Sequence, residues 1–380
     1  MMKELLKKLV RAQTTAEKGE LAAAEVISAE FGRHGIESQI DGWESTRANV
    51  IAHVKSAGQK PALLFACHHD VVGPGETAWE HPPFEATEID DKIYGRGSTD
   101  MKGGISACVT AICRIVDSGI KLKGDIIFVA AAGEETDSAG AARFISNRNW
   151  LPEPARHEGG TGLAAVIIPE PTDFSIVTAH RGMLWLEVTT KGKTAHGSTP
   201  ELGINAITSM LNFLRKLEKY DISVKSHELL GRCSMSVNTI SGGKALNVVP
   251  DKCVTGIDIR TIPAAEHQRI IADFKKIFEK LKSTDPQFEA DISIVRQVRA
   301  LETDSHCDFI RDFCSCVGIA QTTAVGFTTD GPHFATLGVP VVIFGPGQPN
   351  VCHKPDEYIE IADLERAAGY YEEIIRHFLA

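Results

Sequence analysis

The sequence predicts an α/β domain interrupted by an inserted α+β domain, and three observations carry that prediction. Apolar runs without polar alternation recur through the first third of the chain, as strands buried on both faces of a helix-covered sheet would read. Between about residues 178 and 296 the signals change to the order β-α-β-β-α-β, that of a ferredoxin-like unit. From about residue 297 the first character returns. A chain of 380 residues is long enough for two or three domains at ~150 residues each.

Met1–Val10 (MMKELLKKLV) reads as an amphipathic helix, and Leu21, Ala24, Ile27 and Phe31 mark a second that stops near Gly35. Apolar runs follow at Asn49–Val54 and Ala62–Cys67, then a helical stretch from Ile105 to Val116 and runs at Asp125–Ala132 and Leu163–Pro169. Within the insertion, Met183–Val188 alternates as a strand and Ile204–Leu217 is helical. Strands are expected at Cys233–Ile240 and Cys253–Ile262, a helix through Ile270, Phe274, Ile277, Phe278 and Leu281, and a closing strand at Phe288–Val295. The last part offers a helix at Phe309–Val317, a strand at Val339–Phe344 and a helix from Leu364 to Phe378.

Composition narrows the function classes. The net charge of −10, without a Lys/Arg block, argues against nucleic acid as the main partner. No apolar run reaches the ~18 residues of a membrane span, and the N-terminal stretch lacks the apolar core of a secretory signal. Nine scattered cysteines, with only Cys314 and Cys316 close together, match no zinc ribbon or redox spacing, so a reduced, cytoplasmic chain is expected.

Five polar clusters stand just beyond strand-like runs: Cys67-His68-His69-Asp70, Asp100 within Gly95–Gly104, Gly133-Glu134-Glu135, Glu170-Pro171-Thr172, and His353. In open α/β sheets the functional crevice lies outside the carboxyl ends of the strands, so these clusters are expected to converge. Two histidines with several carboxylates form a nitrogen/oxygen set suited to Zn²⁺, with Mn²⁺ or Co²⁺ as alternatives. Carboxylates cannot crowd into one cleft ionised unless cations compensate them, and a bridging carboxylate can hold two metals ~3.5–4 Å apart. In extended chain adjacent side chains diverge, so of Glu134 and Glu135 one can ligate metal while the other faces an activated water. Residues two apart share a face, so Asp70 could accept the second imidazole N–H of His68 and fix its tautomer.

These motifs resemble the M20 family of metallohydrolases, in the group of acetylornithine deacetylases and succinyl-diaminopimelate desuccinylases. The matching pieces are HHDVV (68–72), YGRGSTDMKGG (94–104), GEE (133–135), EPT (170–172), AHGSTPELGINAI (195–207) and HKPDEY (353–358). The resemblance implies an α/β catalytic domain with a central mixed sheet, 1–177 and 297–380, and a ferredoxin-like lid and dimerisation domain, 178–296. It implies two divalent ions, Zn²⁺ first and Co²⁺ or Mn²⁺ next. His68 and Glu170 would hold one and Glu135 and His353 the other, with Asp100 bridging. It makes Glu134 the general base and Asp70 the partner of His68. In the lid, His196 matches a histidine that stabilises the oxyanion, from the partner subunit in dimeric relatives. Asn247 and Arg260 match positions that hold the substrate carboxylate. Cys67, where glycine is common, and Gly331-Pro332-His333 depart from the pattern.

The activity so implied is metal-dependent hydrolysis of the N-acyl amide of a small amino acid. Within that family, Glu170 in its cluster favours a deacylase over a peptidase. Phe344–Gly347 and Pro355–Tyr358 rank acetylornithine-type deacetylation first, as a step of arginine biosynthesis, and succinyl-diaminopimelate hydrolysis second. A dipeptidase or carboxypeptidase comes third, and a metal- or ligand-binding relative without catalysis last, since base and bridge are both present. His69, His180 and His333 read as core or surface histidines, and Cys67 and Cys352 point away from the neighbouring ligand histidines by alternation. Gly95-x-Gly97 is no dinucleotide fingerprint, because GxGxxG is absent. By residue logic alone, Arg260 could equally be a cross-strand partner.

Overall fold

The strand Ala62–His68 is buried along its whole length, which is why ALLFACH carries no polar alternation. It belongs to a computed structural model that describes residues 1–152 and 162–380. Ala62–His68 pairs in parallel with Ile126–Ala131 on one side and Leu163–Ile168 on the other. Arg47–Val54 and Ser38–Trp43 extend the sheet antiparallel beyond Ile126–Ala131, and Val341–Ile343 extends it in parallel beyond Leu163–Ile168. The central sheet is therefore mixed, in an α/β fold. Helices Met2–Arg11, Leu21–Arg33, Gly103–Asp117 and Ile361–Leu379 pack their apolar faces into one core with Leu63, Phe65, Ile126 and Phe128. Tyr371 meets Phe65 edge-on at 5.8 Å, and its buried hydroxyl donates to the Phe344 carbonyl at 3.0 Å, so the ring is buried without an orphaned polar atom.

The chain forms two compact units. The first comprises Met1–Thr178, Thr303–Thr323 and Thr329–Ala380; the second comprises Ala179–Glu302 and Ala324–Thr328. In the second, strands Gly182–Lys191, Ser234–Gly242, Lys252–Thr261 and Glu289–Val298 form an antiparallel sheet. Numbered along the chain, their spatial order is 2-3-1-4, which with the two intervening helices is the ferredoxin-like arrangement. Lys252–Thr261 alternates buried and half-buried residues, the period-two pattern of a sheet covered on one face. Leu186, Ile257 and Ile259 meet Phe213 of helix Ala206–Leu217 and Phe274 of helix His267–Thr284. Asn205 caps the first of these helices by accepting from the N–H groups of Ile207 and Thr208 at 2.9 and 3.2 Å. Among the described residues no helix is long and apolar enough to cross a membrane.

One buried acid in the first unit is expected to make stability depend on pH. Glu20 is 2% exposed, its Oε2 lies 3.8 Å from Arg47 Nε, too far for a hydrogen bond, and burial pushes its carboxyl up to about 7. A carboxyl whose pKa is higher folded than unfolded costs stability as pH rises through that window, by about 3 kcal/mol at most above pH 7. Glu20→Gln is therefore expected to raise the melting temperature at pH 8 and to change it little at pH 5, as thermal unfolding at the two pH values would record.

Candidate metal centre

His68 ends the strand Ala62–His68, Glu134 and Glu135 follow Ile126–Ala131, Glu170 follows Leu163–Ile168, and His353 lies beyond Val341–Ile343. Asp100 sits in the turn Ser98–Lys102 that opens helix Gly103–Asp117. These parallel strands end on one side of the sheet, which is what brings distant segments together. Two glycines make the approach possible. Gly133 has φ +81°, and a Cβ there would fall 2.1 Å from Arg47 Nη2; a Cβ on Gly104 would fall 2.1 Å from the Pro169 carbonyl, beside Glu170.

Among the described residues two trios could hold a metal ion: His68, Asp100 and Glu170, and Asp100, Glu135 and His353. His68 Nε2 lies 3.1 Å from Asp100 Oδ1 and 3.3 Å from Glu170 Oε1. His353 Nε2 lies 3.1 Å from Asp100 Oδ2 and 2.9 Å from Glu135 Oε1. Asp100 thus turns one carboxylate oxygen to each trio. Glu134 belongs to neither trio, and its buried side chain stands beside them.

Asp70 is buried and serves two groups. His68 Nδ1 lies 3.1 Å from the main-chain carbonyl of Asp70 and 3.5 Å from its carboxylate, and the imidazole helps to hold that carboxyl below its usual range against burial. The carboxylate accepts the backbone N–H groups of Glu134 and Glu135 at 3.1 and 2.9 Å. It therefore anchors the turn that presents both glutamates, and carbonyl and carboxylate together face the Nδ1 side of His68.

Electrostatics show what the cluster lacks. Burial pushes the Glu134 carboxyl well up, and burial also lifts Glu170 to about 7. Burial works the same way on Asp100, but hydrogen bonds from His353 and His68 outweigh it and hold that carboxyl below the usual range. Those bonds to Asp100 and Glu135 lift the His353 imidazole to about 10, and burial of His68 is outweighed by Glu170 and its other acidic neighbours. The imidazoles thus draw protons in to balance the acids, a demand divalent cations satisfy by displacing them. Asp70, Asp100, Glu134, Glu135, Glu170, Asp330 and Glu357 are seven carboxylates, against the buried basic side chains Arg96 and Lys102. That excess of acids is of the kind divalent ions compensate, so donor set and sign of charge both fit two such ions.

The remaining expected residues fall as follows. His69 and His180 are fully buried, bonded to the carbonyls of Ala48 and Arg181 at 2.8 Å, and burial pulls both down to about 4. His333 is half-buried on helix Gly331–Ala335. Burial pushes the thiols of Cys67 and Cys352 well up, and neither belongs to either trio. In the second unit, His196 is exposed and its Nδ1 accepts the Ser198 N–H at 3.2 Å, which leaves Nε2 to carry a proton outward. Its loop is paired with that of Asn247, whose carbonyl accepts the Gly197 N–H at 2.7 Å. Arg260 forms an ion pair with Asp258, two residues away on the same strand, at 2.9 Å. Sequence reasoning passed over Asp330, buried beside Glu134 and His68 with its carboxyl pushed up by burial. Its setting before Gly331-Pro332 reads as a turn.

The model of "Peptidase family M20/M25/M40" matches residues 64–377. A Staphylococcus aureus (strain MRSA252) protein named "Probable succinyl-diaminopimelate desuccinylase" is 31% identical, covering 94% of this chain and 92% of its own. "Acetylornithine deacetylase" of Myxococcus xanthus is 29% identical over 99% of this chain and 97% of its own. Among solved structures, an M20 family metallo-carboxypeptidase from Sulfolobus solfataricus superposes with a TM-score of 0.79 at 20% identity, covering 99% and 98% of the two chains.

Proposed function

Because the chain belongs to peptidase family M20/M25/M40 and is a metal-dependent amidohydrolase, we propose that it hydrolyses the N-acyl amide of a small amino acid, acetylornithine first. The observation that carries the reading is Asp100, with one oxygen toward His68 and Glu170 and the other toward His353 and Glu135. On this reading His68 and Glu170 hold one divalent ion, Glu135 and His353 a second, and Asp100 both, with Zn²⁺ first and Co²⁺ or Mn²⁺ as alternatives. Such ions, when bound, polarise an amide carbonyl and make a neighbouring water more acidic. Glu134 takes the proton from the attacking water and returns it to the leaving amine nitrogen. Asp70, by gripping the N–H groups of Glu134 and Glu135, holds the base and a ligand at fixed separation.

In the second unit, read as a lid and dimerisation domain, the outward Nε2–H of His196 donates to the oxyanion. Arg260 takes the substrate carboxylate with help from Asn247. The edge strand Ser234–Gly242 is exposed almost throughout, and Leu202, Leu211, Ile240 and Leu246 are exposed apolar side chains of the same unit. Both support a homodimer through this unit, since unpaired edges and apolar patches invite a second copy. His196→Ala is expected to lower kcat by about 10²–10³-fold with KM little changed. Mixing that variant with Glu134→Ala, each nearly inactive, should restore about a quarter of full activity if His196 serves the partner's site. No restoration would place His196 in its own chain's site.

All nine cysteines are free, which suits a reducing, cytoplasmic compartment; acetylornithine as substrate would make the reaction a step of arginine biosynthesis. Glu170 supports a deacylase reading. A second reading, succinyl-diaminopimelate hydrolysis, is favoured by the name of the 31% identical relative. A panel of acetylornithine, succinyl-diaminopimelate and a dipeptide, assayed with Zn²⁺, Co²⁺ or Mn²⁺, tests both. Released acetate supports the first reading, released succinate the second. Cleavage of the dipeptide alone, or of none, overturns the proposal.

A further inference from the structure

Glu357 and Arg96 are among the most deeply buried charged side chains of the first unit, 0% and 2% exposed, and the proposed chemistry uses neither. Glu357 Oε1 accepts the backbone N–H groups of Thr99 and Asp100, both at 3.0 Å. Its Oε2 accepts from Arg96 Nη1 at 2.6 Å. The same guanidinium donates to the Lys354 carbonyl at 3.2 Å and to the Gly73 carbonyl at 3.4 Å, and it stacks over the Trp79 ring at 5.0 Å. Lys354 follows His353, whose φ of +63° is left-handed backbone that a non-glycine residue keeps only when its surroundings impose it.

One buried ion pair therefore grips both ends of the second trio. Through Glu357 it fixes the main chain of Asp100, and through Arg96 it fixes the main chain next to His353. We propose that Glu357 and Arg96 are positioning residues that set the separation of Asp100 from His353, and so tune metal affinity at the Asp100–Glu135–His353 position rather than at the His68–Glu170 position. The inference rests on the two-ion reading above.

Glu357→Gln separates the two tasks. The amide oxygen can still accept from Thr99 and Asp100, but the amide nitrogen meets Arg96 as donor against donor. Arg96→Lys keeps a positive charge for Glu357 but loses Nη2, which reaches the Gly73 carbonyl, and the planar fork that aims Nη1 at Glu357 and the Lys354 carbonyl together. Metal-free protein and both variants would be titrated with Co²⁺, followed by calorimetry and visible absorption, alongside steady-state kinetics. Each variant is expected to bind one equivalent nearly as the parent does and the other about 10–100-fold more weakly, with kcat lowered and KM little changed. Should Glu357→Gln not fold, Arg96→Lys decides alone. Two equivalents bound by a folded variant with parental affinities overturn the inference, as does equal weakening of both. A parent chain that binds fewer than two equivalents overturns the two-ion reading itself.

Discussion

Replacing Glu134 by alanine is expected to lower kcat by about 10²–10⁴-fold while the protein keeps its fold and its metal. The expectation follows from where Glu134 stands: next to a ligand in sequence, buried, and outside both trios. Its backbone N–H is held by Asp70, so truncating the side chain leaves the turn anchored and Glu135 in place. Metal content by atomic emission, measured with kcat, separates this variant from Glu135→Ala, which should lose metal as well as rate. A base works with its proton off, so activity falls as pH drops through its pKa. Burial moves that acid limb upward, and bound cations beside it move it back down. An alanine variant with near-parental kcat would remove Glu134 from the proton-carrying role.

Asp100→Ala should be more damaging still, because it removes an oxygen from each trio at once. Metal content should fall well below that of the parent, with activity at least about 10³-fold lower, since the lost metal chemistry contributes several kcal/mol. Stripping the parent with a chelator should likewise abolish turnover, and adding Zn²⁺, Co²⁺ or Mn²⁺ back should restore it. The sign of the pH effect on binding is fixed by His353. In the metal-free protein its imidazole is held up to about 10 by Asp100 and Glu135, so at neutral pH it carries a proton that the ion must displace. Affinity should therefore strengthen as pH rises from 6 to 8, by up to about tenfold per unit for each proton displaced. Calorimetry in buffers of different ionisation enthalpy would count those protons. An affinity independent of pH would mean that neither histidine serves as a ligand.

Much of this was legible along the chain because strands buried on both faces carry an unmistakable apolar signal. Ile126–Ala131 and Leu163–Ile168 stand within a residue or two of where their sequence puts them. Polar residues directly after such runs, as at His68 and Glu170, have nowhere to be but at the strand ends. Weaker elements escaped. Ser38–Trp43 is a half-exposed edge strand of sequence SQIDGW, and helix Ala139–Ser146 is one of small residues with a single large apolar anchor, Phe144. The Glu357–Arg96 pair escaped for another reason. Its members are 261 positions apart, and Glu357 sits in a Pro-Asp-Glu stretch that by itself reads as a solvated turn. The second task of Asp70 escaped because alternation predicts which side chains share a face, whereas its carboxylate also serves main-chain groups 64 and 65 positions away.

The order in which the ligands occur along the polypeptide has a consequence for how the enzyme is born. A ribosome delivers His68, Asp100 and Glu170 early, but His353 only 183 residues after Glu170 (353 − 170), once the whole second unit has been made. On the two-ion reading, the residues of the first trio are therefore all made before the second unit, whereas the second trio is complete only when the last-made segment returns to the first. Closing that position would tie the two ends of an interrupted domain together.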